Sequence, residues 1–237
     1  MCGRYTLHTE KELLARRFAL DLDGVEVPPR YNIAPTQRVL IARLEQGRRK
    51  AREMRWGLVP SWASTLRGRG MINARAETVC ERPAFRAAVR RRRCLMLADG
   101  FYEWQAPALE RGHKTPYWIA LRSGAPFAFA AIWETRRAPD SSEPLLSCAL
   151  LTLAANPDLE GIHARMPAIL RPEAEEEWLD PARDNQPERI LEALRTLPPG
   201  ALAARPVSTA VNRPRNDGPE LIAPHDPPET GFGAPGG

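Results

Sequence analysis

From Cys94 onward the apolar positions fall in short runs, Cys94–Ala98, Gly100–Trp104, Tyr117–Leu121, Phe127–Trp133 and Leu145–Thr152, separated by loops rich in proline, glycine and charge. Runs of this length between turn residues predict strands. Earlier in the chain Val39–Ala42 reads as a buried strand and Arg52–Leu58 as another, stopped by Pro60. Helical spacing is confined to a few stretches. Thr9 followed by Glu12 has the form of a capping box, opening a helix with Leu13, Leu14 and Phe18 on one face. Arg82–Arg92 predicts a second helix, and Glu173–Leu179 and Pro187–Leu197 two late ones, the last with proline in its first turn. Pro28-Pro29 breaks the pattern, so Arg30 to Pro35 reads as a rigid loop, and Asn73 to Thr78 as a strand end or loop leading to the second helix. Val207–Val211 is the last predicted strand.

Successive strands with few intervening helices predict an α+β fold. Its core is a mixed, mostly antiparallel sheet, barrel- or sandwich-like, with helices at the periphery. A length of 237 residues with 43% hydrophobic side chains is enough for a sizeable core. No internal repeat is visible, and residues 1–224 read as one domain, followed by a Pro/Gly-rich tail, 225–237, expected to be disordered. No apolar run is long enough to cross a bilayer, and Arg4, Glu10, Lys11, Glu12, Arg16 and Arg17 occupy the stretch where a secretory signal needs an apolar block. A cytoplasmic, monomeric protein without membrane contact is expected.

Charge changes this picture in one respect. The formal net charge is +5, and lysine occurs only at positions 11, 50 and 114, so arginine supplies nearly all of the 34 basic residues. Guanidinium groups fork onto phosphates and stack on bases, which makes a nucleic-acid partner reasonable, although 29 acidic residues offset much of the charge. The run Arg90–Arg93 at the end of the second predicted helix favours the helix dipole and reads as a solvated basic end.

The candidate chemistry begins at Cys2. If Met1 is removed, which the small Cys2 side chain permits, one residue carries both a thiol and a free α-amine, and such an amine titrates near about 7.7–8.0. It attacks an aldehyde to give an imine, and the thiol closes onto that imine as a five-membered thiazolidine. Cys80, Cys94 and Cys148 have no adjacent α-amine. Glu103, between aromatic residues in Phe101-Tyr102-Glu103-Trp104, either faces inward, where desolvation raises its pKa toward the general acid–base range, or points to water from an edge strand. His163 in a loop is either a structural histidine or a proton carrier. Asn73 and Arg75 can bind a sugar oxygen and a phosphate or tie down a turn. The cysteines show no metal-ligand spacing, and no nucleophile elbow, phosphate-cradling glycine loop or metalloprotease helix motif is present, so no metal or cofactor is implied.

Taken in order, Met1-Cys2-Gly3-Arg4-Tyr5, Arg30-Tyr31-Asn32-Ile33-Ala34-Pro35, Trp56-Gly57-Leu58-Val59-Pro60-Ser61-Trp62, Ile72-Asn73-Ala74-Arg75-Ala76-Glu77-Thr78, Gly100-Phe101-Tyr102-Glu103-Trp104 and His163-Ala164-Arg165-Met166-Pro167 closely resemble the SRAP family of abasic-site-processing proteins. The likeness runs from Cys2 to about Pro224. It implies that Cys2 captures the ring-opened aldehyde of an abasic site in single-stranded DNA as a stable crosslink, suppressing strand cleavage. It further implies that Asn73 and Glu103 hold the reacting groups and move their protons, and that His163 assists opening of the deoxyribose ring and reversal. Arg4, Asn32, Arg75 and Arg165 match family positions that contact DNA phosphates or line the site, and Pro35 and Trp62 match positions that stack or wedge against flanking bases. The family usually has aspartate after the histidine; here it is Ala164, which puts the orientation of His163, and the rate of reversal, in question. Two other readings stay open: an N-terminal-cysteine peptidase or amidohydrolase with its own amine as base, and a basic single-strand binder indifferent to the lesion. Lyase activity through the imine is chemically possible.

Overall fold

The computed structural model of the protein describes residues 2–63, 68–107, 113–137, 143–184 and 186–225. Thirteen strands and four α-helices run through them. The strands of the first half are β1 (Arg4–Leu7), β2 (Arg30–Ile33), β3 (Arg38–Glu45), β4 (Arg48–Trp56), β5 (Asn73–Arg75), β6 (Arg93–Ala98) and β7 (Gly100–Gln105). Those of the second half are β8 (Thr115–Leu121), β9 (Phe127–Arg136), β10 (Leu145–Ala154), β11 (Arg165–Pro167), β12 (Ile169–Leu170) and β13 (Leu202–Pro206). The helices are α1 (Lys11–Phe18), α2 (Arg86–Arg91), α3 (Pro172–Leu179) and α4 (Pro187–Glu192).

Strand β10 is the pivot. It pairs antiparallel with β9 and β11, and in parallel with β4 at Ser147–Cys148 and with β5 at Leu150–Thr152. Because β4 pairs with β3, β3 with β6 and β6 with β9, the strands β10-β4-β3-β6-β9 close into a ring. The barrel-like expectation is thus met, with mixed but mostly antiparallel pairing. A second, wholly antiparallel sheet, β13-β8-β7-β1-β2, packs against the barrel.

The seam between the two sheets is aromatic. Tyr5 of β1 meets Trp56 of β4 edge-on at 5.4 Å between ring centroids and Phe129 of β9 at 5.9 Å, and Phe101 of β7 meets Phe129 at 6.0 Å. All four side chains are fully buried. Each contributes about 1.5–3 kcal/mol by leaving water, and each edge-to-face pair roughly 0.5–1.5 kcal/mol more. The seam therefore fixes where β1, and the Cys2 just before it, sits on the barrel.

All five strands expected from Cys94 onward are present with ends within three residues of the runs; Val39–Ala42 lies within β3, and Arg52–Leu58 overlaps β4, which ends at Trp56. Several expectations are corrected. Arg30 to Ile33 is strand β2, because β1 pairs with it and the Asp217 carboxylate accepts from the Tyr31 and Asn32 amides at 2.5 and 2.8 Å. No capping box forms: the N-cap of α1 is Glu10, and the Thr9 hydroxyl donates to Asp99 at 2.9 Å instead. Helix α2 begins at Arg86, since the residues before it close a tight turn from the Phe85 amide to the Arg82 carbonyl. The last strand is Leu202–Pro206, which pairs with β8, and the predicted Val207–Val211 becomes a 3-10 turn started by the Ser208 side chain. The Arg90–Arg93 run is not all solvated. Arg93 is 6% exposed, donating to the carbonyls of Val89, Trp178 and Asp180 and to Asp184. Of the expected disordered tail, all but His225 lies outside the described residues.

Candidate active site

The position of Cys2 is set from both ends of β1. Arg4 lies opposite Tyr102, Tyr5 opposite Phe101 and Thr6 opposite Gly100, so the antiparallel register carried back one step sets Gly3 beside Glu103. Gly100 is required there because a Cβ would fall 2.4 Å from the Trp118 indole. At the other end the buried Asp99 accepts from the Thr6 hydroxyl at 2.6 Å, the His8 and Thr9 amides at 2.5 and 2.8 Å, and the Thr9 hydroxyl. Burial alone would raise the Asp99 carboxyl, but hydrogen bonds from His8 and Thr6 outweigh it and hold it below the usual range. In the sequence Asp99 is marked only as a carboxylate between two apolar runs, and its role is not among the expectations.

Around Cys2 three polar groups converge. Asn73, on the short strand that β10 holds in parallel, donates from Nδ2 to the Cys2 carbonyl at 3.0 Å, while its buried Oδ1 accepts no hydrogen bond among the described residues. Glu103 is 3% exposed, so it takes the inward orientation. Burial pushes its carboxyl above the ordinary value, and its electrostatic interaction with His163 pulls against that shift. The Cys2 thiol is fully buried and donates weakly to the Arg4 carbonyl at 3.6 Å. Burial first, and the Glu103 carboxylate second, push it far above the usual thiol range. Near neutral pH the sulfur is therefore a protonated thiol beside a carboxyl of raised basicity, an arrangement suited to moving one proton.

His163 closes the site from the far side. The Gln105 side chain, two residues past Glu103, donates to the Gly161 carbonyl at 2.9 Å and ties the histidine loop to β7. His163 Nδ1 lies 2.9 Å from the Arg165 amide and 3.0 Å from the Arg165 carbonyl, so the Arg165 backbone offers the ring a partner in either tautomer. Ala164 is exposed, and this backbone contact supplies an orienting bond. A cleft of about 570 Å³ opens beside His163 and Ala164, bounded by Trp104, Gln105 and Lys114.

The residues with expected DNA roles are differently placed. Arg4 gives its guanidinium to Asn32 Oδ1 at 2.8 Å and to the Val211 and Asn212 carbonyls. Asn32 is buried and binds the carbonyls of Val211, Arg213 and Asn216, so both residues brace the C-terminal segment across β1 and β2. Arg165 is gripped by Glu77 through two bonds of 2.6 and 2.9 Å and by Thr152, whereas Arg75 is exposed. Pro35 is half-buried in the turn after β2, where the Thr36 amide reaches the Trp56 carbonyl at 2.8 Å, at the root of the loop carrying Trp62. Trp62 is 71% exposed.

The sequence profile described as SOS response associated peptidase (SRAP) matches residues 1–214. The chain belongs to the SRAP family. It is 40% identical over 228 residues to the abasic site processing protein YoqW of Bacillus subtilis (strain 168), covering 95% of this chain and 100% of that one. It is 32% identical over 230 residues to the abasic site processing protein YedK of Escherichia coli (strain K12), covering 94% and 100%. Among solved structures, a phage-related protein from Bordetella bronchiseptica shares the SRAP chain's fold with a TM-score of 0.69 at 31% identity, covering 87% of this chain and 94% of that one. A Bacteroides thetaiotaomicron protein of 22% identity matches with a TM-score of 0.83 over 94% and 100% of the two chains.

Proposed function

We propose that the protein processes abasic sites in single-stranded DNA by crosslinking to them through Cys2 once Met1 has been removed. The relatives' names support the substrate class. The observation that carries the chemistry is the buried Cys2 thiol with Glu103, Asn73 and His163 around it. The freed α-amine attacks the C1′ aldehyde of the opened sugar, and loss of one water leaves an imine. Sγ then adds to the imine carbon while its proton passes, through Glu103, to the ring nitrogen. Amine, thiol and aldehyde thus give a thiazolidine and one water, with no change of oxidation state. Asn73 Oδ1 accepts a hydrogen bond from the reacting hydroxyl, and His163 moves the proton that opens and recloses the deoxyribose. The exposed Arg75 contacts backbone phosphates, Arg4, Asn32 and Arg165, held by their internal partners, line the site, and Pro35 and Trp62 contact the flanking bases. No helix among the described residues is long and apolar enough to cross a membrane; a monomer acting in the cytoplasm, on the nucleoid, completes the reading.

The test is incubation with an abasic single-stranded oligonucleotide, read on a denaturing gel. A covalent adduct with the abasic strand and none with the intact strand is expected, and Cys2→Ser abolishes the stable product. A Cys2→Ala protein that crosslinks at the wild-type rate overturns the proposal. The word peptidase in the family description gives a second reading, in which the same thiol and Glu103 release Met1 or cleave another amide. Intact mass measurement of wild type and Glu103→Gln from an aminopeptidase-deficient host separates self-processing from host processing.

A further inference from the structure

Trp62 combines a bare side chain with a fastened backbone. It is the most exposed large apolar side chain among the described residues, yet the segment beneath it is held at nearly every step. The Gly57 amide donates to the Cys148 carbonyl at 2.8 Å, Leu58 and Met71 exchange amide bonds at 2.9 and 3.0 Å, and the Val59 amide donates to the buried Ser147 hydroxyl at 3.0 Å. A turn from the Ala63 amide to the Pro60 carbonyl, 3.0 Å, carries Trp62 at its third position. That turn is closed from outside by Arg136, the last residue of β9, whose Nε donates to the Ala63 carbonyl at 2.6 Å. Arg136 is 8% exposed, so this charge-assisted bond is made largely out of water, where it is stronger than on a surface. At the loop root Arg55 donates to the carbonyls of Gly57, Gly68 and Arg69 at 2.9–3.1 Å. Gly57 has φ +128°, and a Cβ on it would meet the Arg69 carbonyl oxygen at 1.9 Å.

We infer that Arg136 is a positioning residue for single-strand binding: it holds the Pro60–Ala63 turn so that the Trp62 indole stands ready to stack on a base beside the lesion. A base landing on an indole whose backbone is already ordered does not have to order it, so little of the stacking energy is lost. The inference rests on the proposed DNA contact of Trp62 and adds that the contact is built from the barrel through Arg136.

A double-mutant cycle on Trp62→Ala and Arg136→Ala, read as affinity for an intact single-stranded oligonucleotide, tests it. Trp62→Ala should weaken binding about tenfold, in the range of one lost base stack. Arg136→Ala should weaken it severalfold, with no further loss in the Trp62→Ala background. The slope of log affinity against log salt should not change, because the buried guanidinium touches no phosphate. Additive losses, or a slope lowered by about one, overturn the inference, as does wild-type affinity in Arg136→Ala. If Arg136→Ala does not fold, Arg136→Lys serves: it keeps the charge without the Nε donor and should still lose affinity, and full wild-type affinity there sinks the idea. Wild-type affinity in Trp62→Ala alone instead removes the assigned DNA role of Trp62 and leaves the Cys2 chemistry untouched. That chemistry is checked by thiazolidine formation with a small aldehyde, which Arg136→Ala should leave unchanged.

Discussion

Replacing Glu103 by glutamine keeps the shape of a side chain that is 3% exposed and removes only its ability to take a proton. In the proposed sequence Sγ reaches the imine carbon after giving up a proton, and burial has pushed that thiol far up, so spontaneous ionisation near neutral pH supplies little thiolate. A positioned general base typically contributes about 10²–10⁴-fold. A counter-effect works the other way: the Glu103 carboxylate is the second cause of the raised thiol, and Glu103→Gln relieves it. The net loss in single-turnover crosslinking rate is therefore expected near the lower end, about 10²-fold. The pH profile carries the sharper signature. Because burial raises the Glu103 carboxyl, the wild-type rate should show, beneath the acid limb that the α-amine gives both proteins, a second decline as pH falls through a value above the ordinary carboxylate pKa, and the variant should lack that second limb. Stability should respond with a fixed sign. A carboxyl of raised folded pKa binds its proton more tightly folded than unfolded, so wild-type stability drops as pH rises from the unfolded toward the folded value, and Glu103→Gln escapes that drop. The assay is a quench series on abasic single-stranded DNA from pH 5 to 9, with denaturant melts at both ends. Wild-type rates in Glu103→Gln, or a slowed variant that keeps the second, lower limb, would refute the assignment of Glu103 as the proton carrier.

Asp99→Ala removes the partner of the buried Thr6 hydroxyl, at about 1–3 kcal/mol for a buried donor left unpaired, and of the half-buried His8 and Thr9 amides and Thr9 hydroxyl at less each, so it should lower stability clearly in a denaturant melt. Asp99→Asn can satisfy most of the same donors and should cost less. Because the Asp99 pKa is depressed, its stabilisation is present above the unfolded carboxylate value and fades as pH falls through the folded one, so the stability advantage of wild type over Asp99→Asn should shrink on acidification, and an advantage that stays constant with pH would refute the reading. At residue 164, alanine leaves His163 Nδ1 bonded to the Arg165 backbone, so Ala164→Asp should speed crosslink reversal only if a carboxylate improves on that bond. Equal reversal rates, measured by transfer to a competing abasic strand, would mean the backbone contact suffices.

The five strand runs after Cys94 were legible because each buries an apolar stretch between turn residues, and that pattern is local. Strands β1 and β2 were not. Arg4–Leu7 and Arg30–Ile33 mix polar and apolar residues over four positions and become strands because β7, and Asp217 from near the far end of the chain, supply partners. Thr9 shows the same limit: its spacing to Glu12 has the form of a cap, but Asp99, ninety residues away, outcompetes the helix end for the hydroxyl. Arg93 reads like its three arginine neighbours, and only the packing of α3 and the segment after it surrounds it with carbonyls.

By itself the sequence determined which atoms are available for chemistry. In the proposed processed form Cys2 combines a thiol with an α-amine, and that pairing of atoms needs no fold. The tertiary structure decided what those atoms experience. Asn73, Glu103 and His163 lie 71, 101 and 161 positions from Cys2, and they share its environment only because β10 carries β5 and β11 while β7 pairs with β1. Periodicity along a chain encodes which face of an element is apolar; desolvation and proton affinity depend on atoms that arrive from elsewhere, and those neighbours exist only once the barrel has closed.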